Sequence, residues 1–207
     1  YAGCEDLLCP PFYLFWQKPS FGRALAAGAT AGLLYYVYFH HWVYWTVVIG
    51  VLFLYSFIRR RADPERLKRF WILLASLAII TIPYFWGLIR FHSTDSAQDF
   101  IYREGVAYGR TIGITAATAA DFAAYAVVAV VIWLLWLRRR DNPSRINTGI
   151  FFLGLVAAMA IVWNIQLVVG FIPVPQFFRR SISPVLFFLA FALVYELIDR
   201  GIVRWLG

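Results

Sequence analysis

Between Arg23 and Arg59 the chain runs from residue 24 to residue 58 without a single Lys, Arg, Asp or Glu. As one straight helix that stretch would be about 52 Å long at about 1.5 Å per residue, against a hydrocarbon core of about 30 Å. It has to break, and no ordinary soluble fold asks for an uncharged run of this length. Of the 207 residues, 62% are hydrophobic and 14% charged, with a mean hydropathy of +0.69. Soluble domains hold about 45–50% apolar and about 25% charged residues. The fold class expected is therefore all-α: a polytopic transmembrane helical bundle that makes residues 1–207 one integral-membrane domain.

The natural break in the first run is Phe39-His40-His41-Trp42, set among Tyr35, Tyr36, Tyr38, Tyr44 and Trp45, a density of amphipathic rings that suits a membrane–water interface. It divides the run into spans at about 24–39 and 42–58. Further spans are expected at about 70–89, kinked by Pro83; at 112–137, ending in Arg138-Arg139-Arg140; at 148–170, after the turn from Asp141 to Ser144; and at 185–203, after Pro184. Near the end of the last span Glu196 and Arg200 are spaced to pair. This parse has six spans; a single span at about 37–58 leaves five. Residues 1–23, with Phe12, Tyr13, Phe15 and Trp16, read as an interfacial segment, and 91–111 as an outer loop whose apolar residues suit a short surface helix.

Orientation follows from the basic residues, because short cytoplasmic loops hold the excess. In the six-span parse Arg59, Arg60, Arg61, Arg66, Lys68, Arg69 and Arg138 to Arg140 all fall on one side with both termini, while Arg90, Arg103, Arg110, Arg179 and Arg180 fall on the other. Both termini are then cytoplasmic, in a multi-pass protein of the plasma (inner) membrane. The net charge of +8 is topogenic in this reading, and no nucleic-acid partner is implied. Cys4 and Cys9 are too few for a disulfide framework or a four-ligand zinc site.

Asp121 stands out, because an acid inside a span calls for a partner, a pocket or a proton path. Thr118 and Tyr125 lie at i−3 and i+4 and share its face. Arg110 is available to it from the outer loop. On the fifth span Gln166 shares a face with Trp163, which suits a pocket, while Asn164 lies among small residues and suits a contact between helices. Asp121, Thr118, Tyr125, Trp163, Gln166 and Arg110 are thus the candidate ligand-binding set. Arg179 and Arg180, in a loop rich in Pro and Phe, are candidates for an anion or a lipid headgroup. His40, His41 and His92 read as interfacial residues, and no metal site, catalytic set or particular cofactor is indicated. Phosphate-loop, nucleophile-elbow and His-Glu-x-x-His patterns are missing from the sequence.

The leading expectation is a non-catalytic membrane subunit of a larger complex, whose partners are the lipid bilayer and either other membrane subunits or copies of itself. Ridges of small residues, such as Ala24, Gly28 and Gly32, favour close helix packing. Two further readings stand beside it: a small-solute transporter or substrate-binding component with an outward pocket around Asp121, and a lipid-modifying enzyme using Asp121 or Glu104 as general base. A six-helix chain of this length with both termini inside is similar in size and topology to the substrate-binding subunits of energy-coupling-factor vitamin importers, which would imply solute capture from the outer side.

Overall fold

The computed structural model describes residues 9–37, 39–94, 107–108, 116–138, 142–164 and 171–172, with helical positions at 189, 190, 194, 196 and 198. The elements are α1 (Cys9–Gln17), α2 (Phe21–Leu33) running into a 3-10 turn (Leu34–Tyr36), α3 (Phe39–Ile58), α4 (Pro64–His92), β1 (Ala107–Tyr108), α5 (Ala116–Ile132) running into a π turn (Trp133–Leu137), α6 (Pro143–Trp163) and β2 (Phe171–Ile172). Apart from the two short strands, the regular structure among the described residues is helical.

The first apolar run breaks a few residues earlier than the sequence suggests, and without Gly or Pro. The 3-10 turn starts the reversal, and aromatic side chains hold it. Tyr35 stacks on Trp42 with ring centroids 4.5 Å apart, and its hydroxyl shares a 2.9 Å hydrogen bond with Thr46 of α3. The Tyr36 hydroxyl donates to the Ile80 carbonyl of α4 at 2.8 Å. Rings that the sequence marks as belt residues therefore also build the corner.

Helix length supports two of the six expected spans: among the described residues, α4 and α6 over Pro143–Val162 are long and apolar enough to cross a membrane. The described apolar stretches Trp42–Ile58 of α3 and Phe122–Leu137 of α5 with its π turn are shorter. α2 has only 13 residues, about 20 Å at about 1.5 Å per residue. The expected span at 185–203 lies almost wholly outside the described residues.

Within the segment expected to be interfacial, the described part begins with α1, whose rings are buried. Phe12, Phe15 and Trp16 of α1 are at most 1% exposed. Phe12 lies about 6 Å from the rings of Trp45 and Phe151, and Phe15 stands edge-on to Phe70 at 5.0 Å. Three large rings on a nine-residue helix cover more apolar area than a surface position could remove from contact, so α1 becomes a wedge among α3, α4 and α6.

α2 lies along α4 through its small residues. A Cβ on Gly28 would collide with the Leu73 carbonyl oxygen and come within 2.8 Å of the Ser76 Cβ, and one on Gly32 would come within 2.8 Å of the Ile80 Cβ. The close approach lets the Ser76 hydroxyl donate across the interface to the Leu25 carbonyl at 3.1 Å. α3 and α6 pack in the same manner, with Gly154 seating the Leu52 side chain and the Tyr44 hydroxyl donating to the Leu155 carbonyl at 3.1 Å. The π turn closes with the Arg138 N–H on the Trp133 carbonyl at 2.8 Å. It sets Trp136 over Gly149 and 5.2 Å from the Phe152 ring.

β1 and β2 pair antiparallel, Ala107 with Ile172 and Tyr108 with Phe171. The pairing joins the 91–111 loop to the start of the Phe171–Pro184 loop, two segments that the charge count puts on one side. Gly28→Val is expected to lower unfolding stability in detergent by about 1–3 kcal/mol through overpacking. Gly87→Ala, where a Cβ meets open space, is expected to leave it unchanged or raise it by up to about 1 kcal/mol; denaturant titration of both variants measures the contrast.

Candidate functional site

α4 and α6 begin alike, with an Asx residue followed by Pro. The Asp63 carboxylate caps α4 by accepting the Arg66 N–H at 3.1 Å, and Asn142 caps α6 by accepting the Ser144 N–H at 2.9 Å. Pro64 and Pro143 occupy first-turn positions where no backbone donor is needed. This fixes where both helices start, and the two starts meet the end of α3.

The node between them is Arg66, which is 8% exposed. Its Nε donates to Asp63 Oδ2 at 2.8 Å and its Nη2 to Asn147 Oδ1 at 3.4 Å, while the guanidinium lies 4.5 Å over the Trp16 ring. The Trp16 Nε1–H in turn donates to the Asn147 carbonyl at 2.7 Å. α1, α4 and α6 are thereby joined through one cation, by an ion pair, a cation–π contact and hydrogen bonds. The Arg66 Nη1 is buried and has no acceptor. Around the node Tyr13 and Gln17 of α1 bond to Thr148, and Ser144 donates to Gln17 at 3.2 Å.

Beside the node lies a cavity of about 320 Å³, lined by Tyr55, Ser56, Arg59, Asp63, Arg66 and Asn147, with Pro143, Ile146 and Ile150 on the α6 side. Arg59 is exposed and has no acidic partner among the described residues. The Ser56 hydroxyl, nearly fully buried, donates back to the Leu52 carbonyl at 2.9 Å. Outside the cavity Glu65 receives Lys68 at 2.8 Å and lies near Arg69 at 3.8 Å. The Lys68 hydrogen bond and charge hold the Glu65 carboxyl below its ordinary range. Whatever that exposed pair contributes is present above the ordinary carboxylate range and is lost as the pH falls through the lowered value.

Of the expected ligand set only a part falls within the described residues. Thr118, Asp121 and Tyr125 all fall on α5, which keeps their spacing on one face. Tyr125 is buried, with its ring 6.1 Å from Phe122. The side chains of Thr118, Asp121 and Trp163, and the whole of Arg110, Gln166, Arg179 and Arg180, lie outside the described residues, so their pocket is not among the observations. The Asn164 Nδ2 donates to the Ala160 carbonyl at 2.9 Å, within its own helix, at the C-terminal end of α6. Glu196 reaches Arg145 of α6 at 3.7 Å; Arg200, its expected partner, is outside the described residues. His92 ends α4 exposed, beside Phe91.

Sequence reasoning took Arg59 and Arg66 for topogenic charge and gave Asp63 and Asn147 no role. The signal available was the pair of Asx-Pro helix starts, which places Arg66 three residues after a capping carboxylate. Compared with protein-family models, with curated proteins and with solved structures, the chain matches none.

Asp63→Asn keeps an N-cap of equal quality and removes the carboxylate from Arg66. It is expected to cost about 1.5–3 kcal/mol, the range for hydrogen bonds to charged groups; Asp63→Ala should cost about 1 kcal/mol more through loss of the cap. Equilibrium unfolding of both variants in the same detergent checks the difference.

Proposed function

We propose that the chain is a non-catalytic integral-membrane subunit of a larger membrane complex, multi-pass in the plasma (inner) membrane, with six spans and both termini in the cytoplasm. The observation that carries this reading is the surface of α4. Of its 18-residue apolar stretch only 11% is buried. Trp71, Ile79, Ile82, Phe85, Trp86 and Ile89 are between 42% and 67% exposed. The central helix of a soluble protein would be covered by its own fold, and an uncovered stripe of this length in water would be an aggregation site. Lipid and neighbouring helices are the natural cover. α6, half buried over its own apolar stretch, serves as the inner helix of the bundle.

Partners in this reading are the bilayer and other membrane subunits or further copies of the chain. Alkaline extraction followed by native mass spectrometry of gently solubilised native membranes tests it. Retention in the washed membrane and a particle well above 23.8 kDa containing other polypeptides are expected. Release into the wash would overturn the membrane reading, and a lone chain the subunit reading.

Ile79→Arg separates lipid from water more sharply. On a water-facing surface the change stays within about 0.5 kcal/mol, whereas at the middle of a spanning helix it costs about 2.5–3.5 kcal/mol of insertion. A large drop in the membrane-inserted fraction, read by glycosylation mapping of α4, is the expected result.

A further inference from the structure

We propose that the cavity between the α3–α4 turn and the first turns of α6 is a binding site for a phosphate group. Its walls carry two guanidinium groups, Arg59 and Arg66, against one carboxylate, Asp63, and that carboxylate is already engaged by Arg66. The local charge is therefore positive. Arg59 lacks an acidic partner among the described residues, and Arg66 holds one nitrogen without an acceptor in a buried position. A buried charged donor left unbonded is costly, and Arg is the side chain best matched to phosphate oxygens. Ser56 and Asn147 add short polar groups at the same wall.

The opposite wall differs. Ile146 and Ile150 are apolar, so the cavity offers cations on one side and hydrocarbon on the other. That combination suits a phosphate ester, and its volume is at the lower end of small-ligand sites. The cavity also lies where α4 enters its apolar stretch, beside Arg60 and Arg61, on the side to which the charge count assigns the cytoplasmic leaflet with its anionic lipids. Two sources supply the same chemistry: a phospholipid headgroup and free phosphate. The lipid source rests on the membrane reading above, and the phosphate site itself does not.

The test uses the full chain in a phosphate-free neutral detergent, with the thermal midpoint followed during titration by dihexanoyl phosphatidic acid or by inorganic phosphate. A saturable rise with the lipid, and none with phosphate at tenfold higher concentration, is expected. Arg59→Gln, which removes an exposed side chain without an ion pair, should raise the apparent Kd about tenfold, the effect of one charge-assisted hydrogen bond. Arg60→Gln, whose guanidinium stacks 4.7 Å over Phe57 outside the cavity, should leave the Kd unchanged. Saturation by inorganic phosphate with the same sensitivity to Arg59→Gln also supports the site and assigns its ligand to free phosphate. Absence of saturation with either probe, or equal weakening by Arg59→Gln and Arg60→Gln, overturns the proposal in favour of a diffuse basic rim. Release from alkaline-washed membranes would remove the lipid source and the membrane reading together, while the inorganic phosphate titration still tests the site.

Discussion

A guanidinium taken out of water has to be neutralised where it sits, and the arrangement of helix ends follows from how Arg66 meets that demand. Asp63 supplies the charge, Trp16 the ring face and Asn147 its side-chain amide oxygen. Each comes from a different segment, so the α3–α4 turn, α1 and α6 must converge for the cation to be tolerated. A buried ion pair adds little stability over a well-packed apolar substitute, yet removing one partner is expensive. Its value here is geometric: it admits one relative placement of three helices, and Trp16 binding the Asn147 carbonyl locks the same placement a second time.

Away from that node the bundle relies on shape. In the membrane reading proposed above, water expulsion supplies no driving force between helices, so close backbone approach and dispersion hold them together. Gly28 and Gly32 against α4, Gly154 against Leu52 and Gly149 against Trp136 are positions where a side chain would push the packed elements apart. Aromatic rings fill the remaining volume, and α1 contributes three of the most buried ones. With one side of α4 taken by α2 and the other left as an apolar stripe, the fold holds a surface that calls for lipid or another chain. The phosphate-binding cavity proposed at its basic end would tie that apolar surface to the headgroup layer.

Much of this was legible in linear form. The uncharged stretch from 24 to 58 foretold two helices, and the small-residue ridge of Ala24, Gly28 and Gly32 foretold a close contact, whereas Asn142-Pro143, which reads as a turn, proves to start a helix. Other features were not. Phe12, Phe15 and Trp16 look alike whether a segment lies on a membrane surface or inside a bundle, since aromatic residues suit both. An amide near a helix end also has an acceptor in its own backbone that no sequence pattern marks, and Asn164 donates to the Ala160 carbonyl. Span count suffered from a related ambiguity: apolar length in sequence does not fix helical length, and the 3-10 turn at Leu34–Tyr36 shortens the first helix.

The sequence alone determined the helical character and the excess of apolar surface, because both depend on averages over many residues: apolar fraction, spacing of charge, runs without Asp, Glu, Lys or Arg. It also determined where the basic end of the bundle lies, since Arg59 to Arg61 and Arg66 to Arg69 follow directly on the apolar runs they terminate. Only the tertiary structure decided that one of those arginines is buried, that a helix near the start of the chain is its ring partner, and that a cavity opens beside it. Arg66 is separated by 50 positions from Trp16 and by 81 from Asn147. No local pattern encodes a meeting over such distances; it arises when three helix ends must share one desolvated charge.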